Sequence, residues 1–561
     1  MLHLDGPLCS IDVGDRASED VNIHDVLSTF IGGRGVGTKL AHDRIPFDAD
    51  PLGPENRLYF ATGPLQHARM SFTGRMSATG LSPLTNGLLS SNAGGFLSRN
   101  VVNSGYSAIE ITGSSDTLLI IHVTDEAVTF QAVPELAEAT TEETCSFIER
   151  TTGLDASHTV TIGPAGENGV RFASIMTSES RAFGRGGLGA VLGAKGVKAI
   201  TFDGDTEPSL TIPDMQTAVH REAAQSDHIM KRQGTTSVTS LANEVNALPT
   251  RYFSATTFEG ASGIDGDRVE EKKYQKGTCS ACAFACKLPT KDEDTGLETE
   301  GPEYETVMAF GSNAGVDDIV SVMQSNELCD QYGLDTISCG DVISAYLASE
   351  DAFGDSELIH ELVEKIAYRD GIGDLLAEGV ARAHDALGVD NWSVKGMAFS
   401  AHDGRTLNGQ GLGFATSNRG ADHMYAEFYA LEYPLVPPEE AMDPDGLDGK
   451  APRLVSKENV NAVKDSAVLC KFSRSFVPPK RFAGLLKTDV NTLQSIGERI
   501  VALERHFNNQ RGFDRADDTL PYADQLVGFD AALSEYYAIR GWRDNGTVPE
   551  SILAVDPHTA E

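Results

Sequence analysis

The sequence predicts an α+β multidomain protein, with a β-rich N-terminal cofactor-binding domain followed by two mainly α-helical domains. Three observations carry this expectation. At 561 residues the chain exceeds what one hydrophobic core ordinarily organises. Short runs with strand character are concentrated before residue 205. Beyond residue 212, apolar residues recur at helical spacing instead. The expected domains are 1–205, 212–395 and 396–561, the first boundary being the acidic, proline-containing stretch Gly204–Asp214.

In chain order, Ser107–Gly113, Thr117–Thr124 and Val128–Val133 read as strands, the last two joined by a tight turn at Asp125-Glu126. Lys198–Asp203 reads as one more. Between strands lie glycine-dense segments, Gly32–Gly37, Asn92–Gly95 and Gly184–Gly189, read as loops whose amides can approach a ligand closely. In the helical part, Val320–Tyr332 is stopped by Gly333. Leu358–Tyr368 and Leu375–Leu387 follow, separated by Gly371-Ile372-Gly373. Ile496, Ile500, Leu503 and Phe507 mark a last amphipathic helix. The sequence shows no internal repeat and no low-complexity tract.

Composition narrows the function. A formal charge of −37 argues against nucleic-acid binding, which needs cations to neutralise phosphates. Lysine is the scarcer cation, 17 against 28 arginines, and the acidity runs through every region, as expected of a salt-adapted protein. No apolar run approaches the ~18 residues of a membrane span, and the N-terminus lacks a signal-peptide pattern. A cytoplasmic protein is expected.

Cys279, Cys282 and Cys286 stand at C-x2-C-x3-C spacing. Thiolates so placed can surround one inorganic cluster with a fourth ligand from afar, and Cys470, beside Lys471, is the natural fourth. Structural zinc is the alternative, but zinc sites usually pair two short cysteine motifs. Cys9, Cys145, Cys329 and Cys339 read as small buried hydrophobes.

The cysteine cluster together with Asp330-Gln-Tyr-Gly-Leu-Asp335 resembles the aldehyde ferredoxin oxidoreductase family. The likeness continues through Ile31–Gly37, Phe60–Pro64, Ser91–Phe96, Gly163–Asn168, Arg181–Gly187, Gly301–Thr306, Glu498–Arg505 and Tyr536–Trp542. The resemblance implies a 4Fe-4S cluster and tungsten, or molybdenum, on two pterins (tungstopterin or molybdopterin), with a magnesium ion at the pterin phosphates. Arg75, Asn92, Gly94, Arg181, Ala182, Gly184 and Arg185 match positions that grip the pterins; arginine forks suit phosphates. Asp330, Leu334 and Asp335 match one pterin loop, and Asp465 and Lys471 the second. In that second loop Val468 stands where glycine is usual. Because β-branched residues resist left-handed backbone, a different turn is expected there.

The same resemblance implies oxidation of a small aldehyde, with electrons passing to ferredoxin. Glu305 would take a proton from water, with Glu303 the weaker candidate, and His423 would hydrogen-bond the aldehyde oxygen. His402 and Asp403 are candidates for the pocket wall. Relatives acting on acyl thioesters or sugar phosphates, molybdopterin-dinucleotide enzymes such as formate dehydrogenases, and a non-catalytic iron–sulfur subunit are the competing readings. A homodimer is left open. Gln324–Glu327 lacks the E-x-x-H ligands of an intersubunit iron, and Glu357-Leu-Ile-His360 reads as a helix face, so that iron is not expected. Lys272, Lys273, Lys276 and Lys287 flank the cluster cysteines as an expected basic dock for ferredoxin.

Overall fold

A computed structural model describes residues 1–553 apart from 179, 208, 209 and 434. Positions 208 and 209 of the expected boundary at Gly204–Asp214 therefore lie outside the described residues. The N-terminal part holds two six-stranded sheets, and the remainder is mainly helical, as the sequence predicts.

The first sheet contains β1 (Leu8–Asp12), β2 (Ala17–Val21), β3 (Leu58–Ala61), β4 (Met76–Leu81), β5 (Leu88–Ala93) and β6 (Ala108–Thr112) in the order β2-β1-β6-β3-β4-β5. The second contains β7 (Leu119–Val123), β8 (Val128–Ala132), β9 (Thr159–Thr161), β10 (Ile175–Thr177), β11 (Arg181–Phe183) and β12 (Val197–Phe202) in the order β8-β7-β12-β9-β10-β11. Adding six to each strand of the first sheet generates the second. In each, the first and last strands pair parallel, and every other pairing is antiparallel. Helices fall at matching places too: Gly33–Arg44 and Thr141–Thr152 precede the third strand, and Leu97–Asn103 and Leu188–Ala194 precede the last. An internal repeat therefore exists where the sequence shows none. The halves share topology rather than residues. Their clearest common trace is a Gly-Pro pair after the third strand, Gly63-Pro64 and Gly163-Pro164.

Two expectations need correction. Gly33–Arg44 is a helix, not a loop. A Cβ at Gly33 would lie 2.2 Å from the Asp465 carbonyl oxygen, and one at Gly32 2.9 Å from that of Ser466. These glycines thus seat one backbone against another more than 400 residues away, which outweighs their poor helix propensity. Leu375–Leu387 is two helices, Ile372–Leu376 and Val380–Leu387, because Gly379 takes φ 82° between them.

The long helices follow the sequence closely. Ile319–Tyr332 is capped by Asp318, whose carboxylate accepts from the Val320 and Ser321 amides, and ends at left-handed Gly333. Val490–Gln510 is capped by Asp489 and buries Ile496, Ile500, Leu503 and Phe507. The main hydrophobic core runs from the sheets into the helices, and a smaller cluster of Ile120, Val133, Leu136, Ile148 and Ala199 stands apart from it in the second repeat. Among the described residues, no helix is long and apolar enough to cross a membrane.

Candidate active site

The two repeats meet edge to edge, β5 lying against β11. Each repeat also receives one of the two aspartate loops. Gly63 approaches the second loop so closely that a Cβ would lie 2.5 Å from the Ser466 carbonyl; one at Gly163 would lie 2.3 Å from the Tyr332 carbonyl of the first. The loops turn alike. After Asp330, Gly333 is left-handed and the Leu334 amide donates to the Cys329 carbonyl at 2.8 Å. After Asp465, Val468 is left-handed at φ 60° and the Leu469 amide donates to the Lys464 carbonyl at 2.8 Å.

The expectation of a different turn at Val468 is thus overturned. The backbone penalty of about 1–2 kcal/mol is offset by full burial of the side chain. At Gly333 a Cβ has no such room, since it would meet the Gly163 amide nitrogen at 2.8 Å. Gly333→Val should therefore lower stability by about 3 kcal/mol or more. Thermal unfolding would register this as a lower midpoint, and an unchanged midpoint would contradict the packing account.

At one end of this frame the four expected thiols come together. Cys286 is close enough to Cys279, Cys282 and Cys470 to interact with all three electrostatically. The Ser280 amide donates to the Gly95 carbonyl at 2.9 Å and the Cys470 amide to the Phe72 carbonyl at 2.7 Å, tying both cysteine segments to the first repeat. Phe72, Phe284 and Phe476, close in sequence to these attachments, pack on one another. Left-handed Ala281 and Ala285 bend the chain between the ligand positions. Burial pushes the Cys470 thiol up to about 11 and Cys286 well above the ordinary range, neighbouring thiols adding to the latter. Mutually repelling, buried thiolates fit a polynuclear cation such as an iron–sulfur cluster.

Most of the remaining candidates line the seam between the repeats. Arg75 reaches Asn92, its Nη2 donating to that carbonyl at 2.8 Å, and acts on Cys470. Gly94 leaves room for the thiol: a Cβ would lie 3.2 Å from Cys279 Sγ. Across the seam Arg181 pairs with Glu300, half-buried Ala182 follows in β11, and Gly184 faces Asp335 Oδ1 at 3.7 Å from its would-be Cβ. Arg185 donates to the Ala421 and Ala398 carbonyls at 2.9 and 2.5 Å and approaches Asp335 Oδ2 at 3.5 Å. Arg181 Nε and Arg185 Nε are buried without a hydrogen-bond partner, as suits an anion-binding seam.

The aspartates are more constrained than the sequence suggests. Asp335 caps the helix Thr336–Glu350, Oδ2 accepting from the Ser338 amide and hydroxyl at 3.1 and 2.6 Å, so only Oδ1 is open. Leu334 is buried and can offer a ligand only its backbone. Asp330 keeps part of its surface open, yet desolvation pushes its carboxyl up to about 8, Glu327 adding and Arg181 opposing. Asp465 is held by Lys471 at 2.9 Å and Arg34 at 3.5 Å.

Glu305 stands in the short helix Tyr304–Val307, which runs into a π-turn at Met308–Ser312. Its Oε2 accepts from the Ala401 amide at 2.8 Å. Its Oε1 has no hydrogen-bond partner and lies 3.4 Å from His423 Nε2 and 3.6 Å from His402 Nε2. The three atoms fall within 4.8 Å of one another. His402, left-handed at φ 73°, stacks face to face on Tyr429 at 3.8 Å. Burial, with His423 and Arg474 nearby, pushes His402 well below the usual imidazole range and keeps it neutral. Such a trio can share a proton and bind a small polar group.

His402 is therefore fully part of the group, whereas Asp403 turns away to Arg405. Tyr429, buried Arg419 and buried Asp341 were not singled out by the sequence; a lone charged or aromatic residue carries no spacing signal. Arg419 donates to the Ser90 carbonyl at 2.8 Å and pairs with Asp422.

Several secondary expectations change. Glu303 faces Thr235 and Arg181 rather than the histidines. His360 contacts the Ser321 carbonyl at 3.0 Å and is half-buried rather than solvated. The four-lysine patch does not present four free charges. Lys272 pairs with Asp292 at 2.6 Å, the Lys273 ammonium donates to the Lys231 carbonyl at 2.9 Å, and Lys287 is buried against Glu300 at 3.1 Å. Lys276 is the exposed member.

Residues 8–204 match the model described as aldehyde ferredoxin oxidoreductase, N-terminal domain, and residues 212–554 the model for domains 2 and 3 of the same family. The chain is 33% identical to a tungsten-containing aldehyde ferredoxin oxidoreductase of Thermococcus kodakarensis over 93% of both chains. It is 32% identical to that of Pyrococcus furiosus over 97% of both. An aliphatic sulfonate oxidoreductase, WOR-like subunit, of Pyrococcus furiosus is 26% identical over 99% of this chain and 97% of its own. Among solved structures, the active site complex BamBC of benzoyl coenzyme A reductase superposes with a TM-score of 0.82 at 22% identity, covering 99% of this chain and 97% of that one, a likeness of fold.

Proposed function

The chain belongs to the aldehyde ferredoxin oxidoreductase family, and from that premise we propose that it oxidises an aldehyde to the carboxylic acid. The supporting observation is the arrangement itself: two equivalent loop-and-repeat cradles, four gathered thiols, and Glu305 grouped with two histidines. A tungsten bis-pterin bound across the cradles would supply a two-electron acceptor, and a 4Fe-4S cluster on Cys279, Cys282, Cys286 and Cys470 a one-electron relay.

This chain's own residues would do the rest. Arg75, Arg181 and Arg185 would hold the anionic cofactor, with a magnesium ion at its phosphates, while Asp330, Asp335 Oδ1 and Asp465 would accept from pterin NH groups. Glu305, anchored through Oε2, keeps Oε1 free to take a proton from water. His423 would donate to the aldehyde oxygen, and neutral His402, fixed on Tyr429, would hold the pair in place. Cys470 directly follows the second aspartate loop, so cradle and relay are joined through bonds. Ferredoxin is the proposed acceptor, and exposed Lys276 is the cation offered beside the cysteines.

Purified holoenzyme should reduce a viologen dye when given an aldehyde and release the corresponding acid. Dye reduction with an acyl thioester's reduced product or an alkanesulfonate, but with no aldehyde, would overturn this reading.

A further inference from the structure

Beyond the Glu305–histidine group lies an excess of positive charge, half-buried at Lys457 and Arg474, of which only Lys471, on the second aspartate loop, has a place in the proposed cofactor site. Lys457 and Lys464 stand seven residues apart on the helix Lys450–Ser466, so they share a face. Lys457, Lys464, Lys471 and Arg474 all lie close enough to Glu427 to act on its carboxylate. Lys471 is already committed to Asp465 at 2.9 Å. Lys457 and Lys464 form no hydrogen bond or ion pair of their own among the described residues, although Lys464 is only 7% exposed. Arg474 approaches Glu427 Oε1 only to 3.8 Å, and neither its Nη1 nor that oxygen finds a hydrogen-bond partner. Two carboxylates, Glu427 and Asp465, which acts on Lys464 as well as Lys471, stand among four cations, and this partly buried imbalance is costly unless a further anion completes it.

The cluster adjoins the reacting end. Glu427 donates its amide to the His423 carbonyl at 2.7 Å. Arg474 lies 6.0 Å from the centre of the Tyr429 ring, whose plane His402 stacks on at 3.8 Å. Arg474 also acts directly on His402. Its side chain is 23% exposed, so this end is not sealed. Burial holds Lys457 down to about 8 against the pull of Glu427, with Lys464 and Arg474 adding to the depression.

We propose that Arg474, Lys464 and Lys457 bind a second, anionic group of the substrate, so that the enzyme prefers a short aldehyde ending in a carboxylate or phosphate. The inference rests on the aldehyde reading and specifies its substrate class. With the aldehyde carbon held at Glu305 and His423, a terminal anion a few carbons away would reach Arg474 past the Tyr429 ring. Charge-assisted hydrogen bonds to such an anion favour it by roughly 10–100-fold over an uncharged analogue.

The test compares kcat/KM of the holoenzyme for butanal, succinic semialdehyde and glyceraldehyde 3-phosphate. At least a tenfold preference for one of the anionic aldehydes is expected, and the better of the two identifies the anion. In Lys464→Gln and Lys457→Gln, scored per tungsten bound, that preference should fall tenfold or more. Wild-type enzyme gives a readout that needs no variant: succinate should compete with substrate at least tenfold better than butanoate if the carboxylate is favoured, and a phosphorylated carboxylic acid likewise if the phosphate is. Equal turnover of neutral and anionic aldehydes, or equal inhibition by charged and uncharged-tail acids, overturns the inference and leaves aldehyde oxidation standing. Oxidation of none of the three, with other aldehydes also inert, overturns the aldehyde reading and this inference with it.

Discussion

Glu305→Gln is expected to lower turnover roughly 10²–10⁴-fold, the usual scale for losing a general base, while tungsten and iron contents stay at wild-type levels. The substitution is close to isosteric. An amide oxygen can still accept from the Ala401 amide as Oε2 does at 2.8 Å, so the side chain keeps its anchor. What is lost is the free Oε1 between His402 and His423, 3.6 and 3.4 Å away. Loss of activity with intact cofactors would place the effect on proton transfer. Unchanged kcat on fully loaded enzyme would remove Glu305 from the chemistry.

Cys470→Ser should abolish the iron–sulfur cluster or convert it to a form with fewer irons, seen in the visible absorption and electron paramagnetic resonance spectra. A serine hydroxyl ionises far less readily than a thiol, even with Arg75 and Arg474 nearby. The Cys470 amide bond to Phe72, at 2.7 Å, does not involve the side chain, so the turn itself should persist. Cys145→Ser, on the helix Thr141–Thr152 of the second repeat, should leave the spectra unchanged. Equal effects of the two substitutions would refute Cys470 as the fourth ligand.

How much of this was legible in the sequence depended on whether the cause was local. Leu119–Val123 and Val128–Ala132 form a hairpin about Asp125-Glu126, and Gly333 ends its helix, because turn residues and apolar runs act on their neighbours. The Gly33–Arg44 helix was not legible, since what permits it is the Asp465–Ser466 backbone packed against it. At Gly379 a Cβ would lie 3.1 Å from Leu84 Cδ1, a crowding that local sequence does not reveal. Val468 shows the converse: a local preference against left-handed backbone yields to burial and to a closure matching that at Gly333. The repeat was invisible because strand order leaves no residue pattern beyond two Gly-Pro pairs.

The site followed the same division. Clustered cysteines announce themselves by spacing, and the motif resemblance supplied Glu305 and His423. The stacking of His402 on Tyr429 and the gathering of Lys457, Lys464 and Arg474 near Glu427 join residues from separate segments, and only the fold brings them together. The flanking lysines misled for a related reason. Their sequence neighbourhood was correct, but Lys272 and Lys287 spend their charge on Asp292 and Glu300.

The central claim is that two equivalent cradles and four gathered thiols hold a tungsten or molybdenum bis-pterin and one cubane cluster. Elemental analysis of the purified, unsupplemented protein tests it most directly. The account predicts tungsten or molybdenum together with about four irons per chain. Stoichiometric zinc without iron, and neither heavy metal, would contradict it.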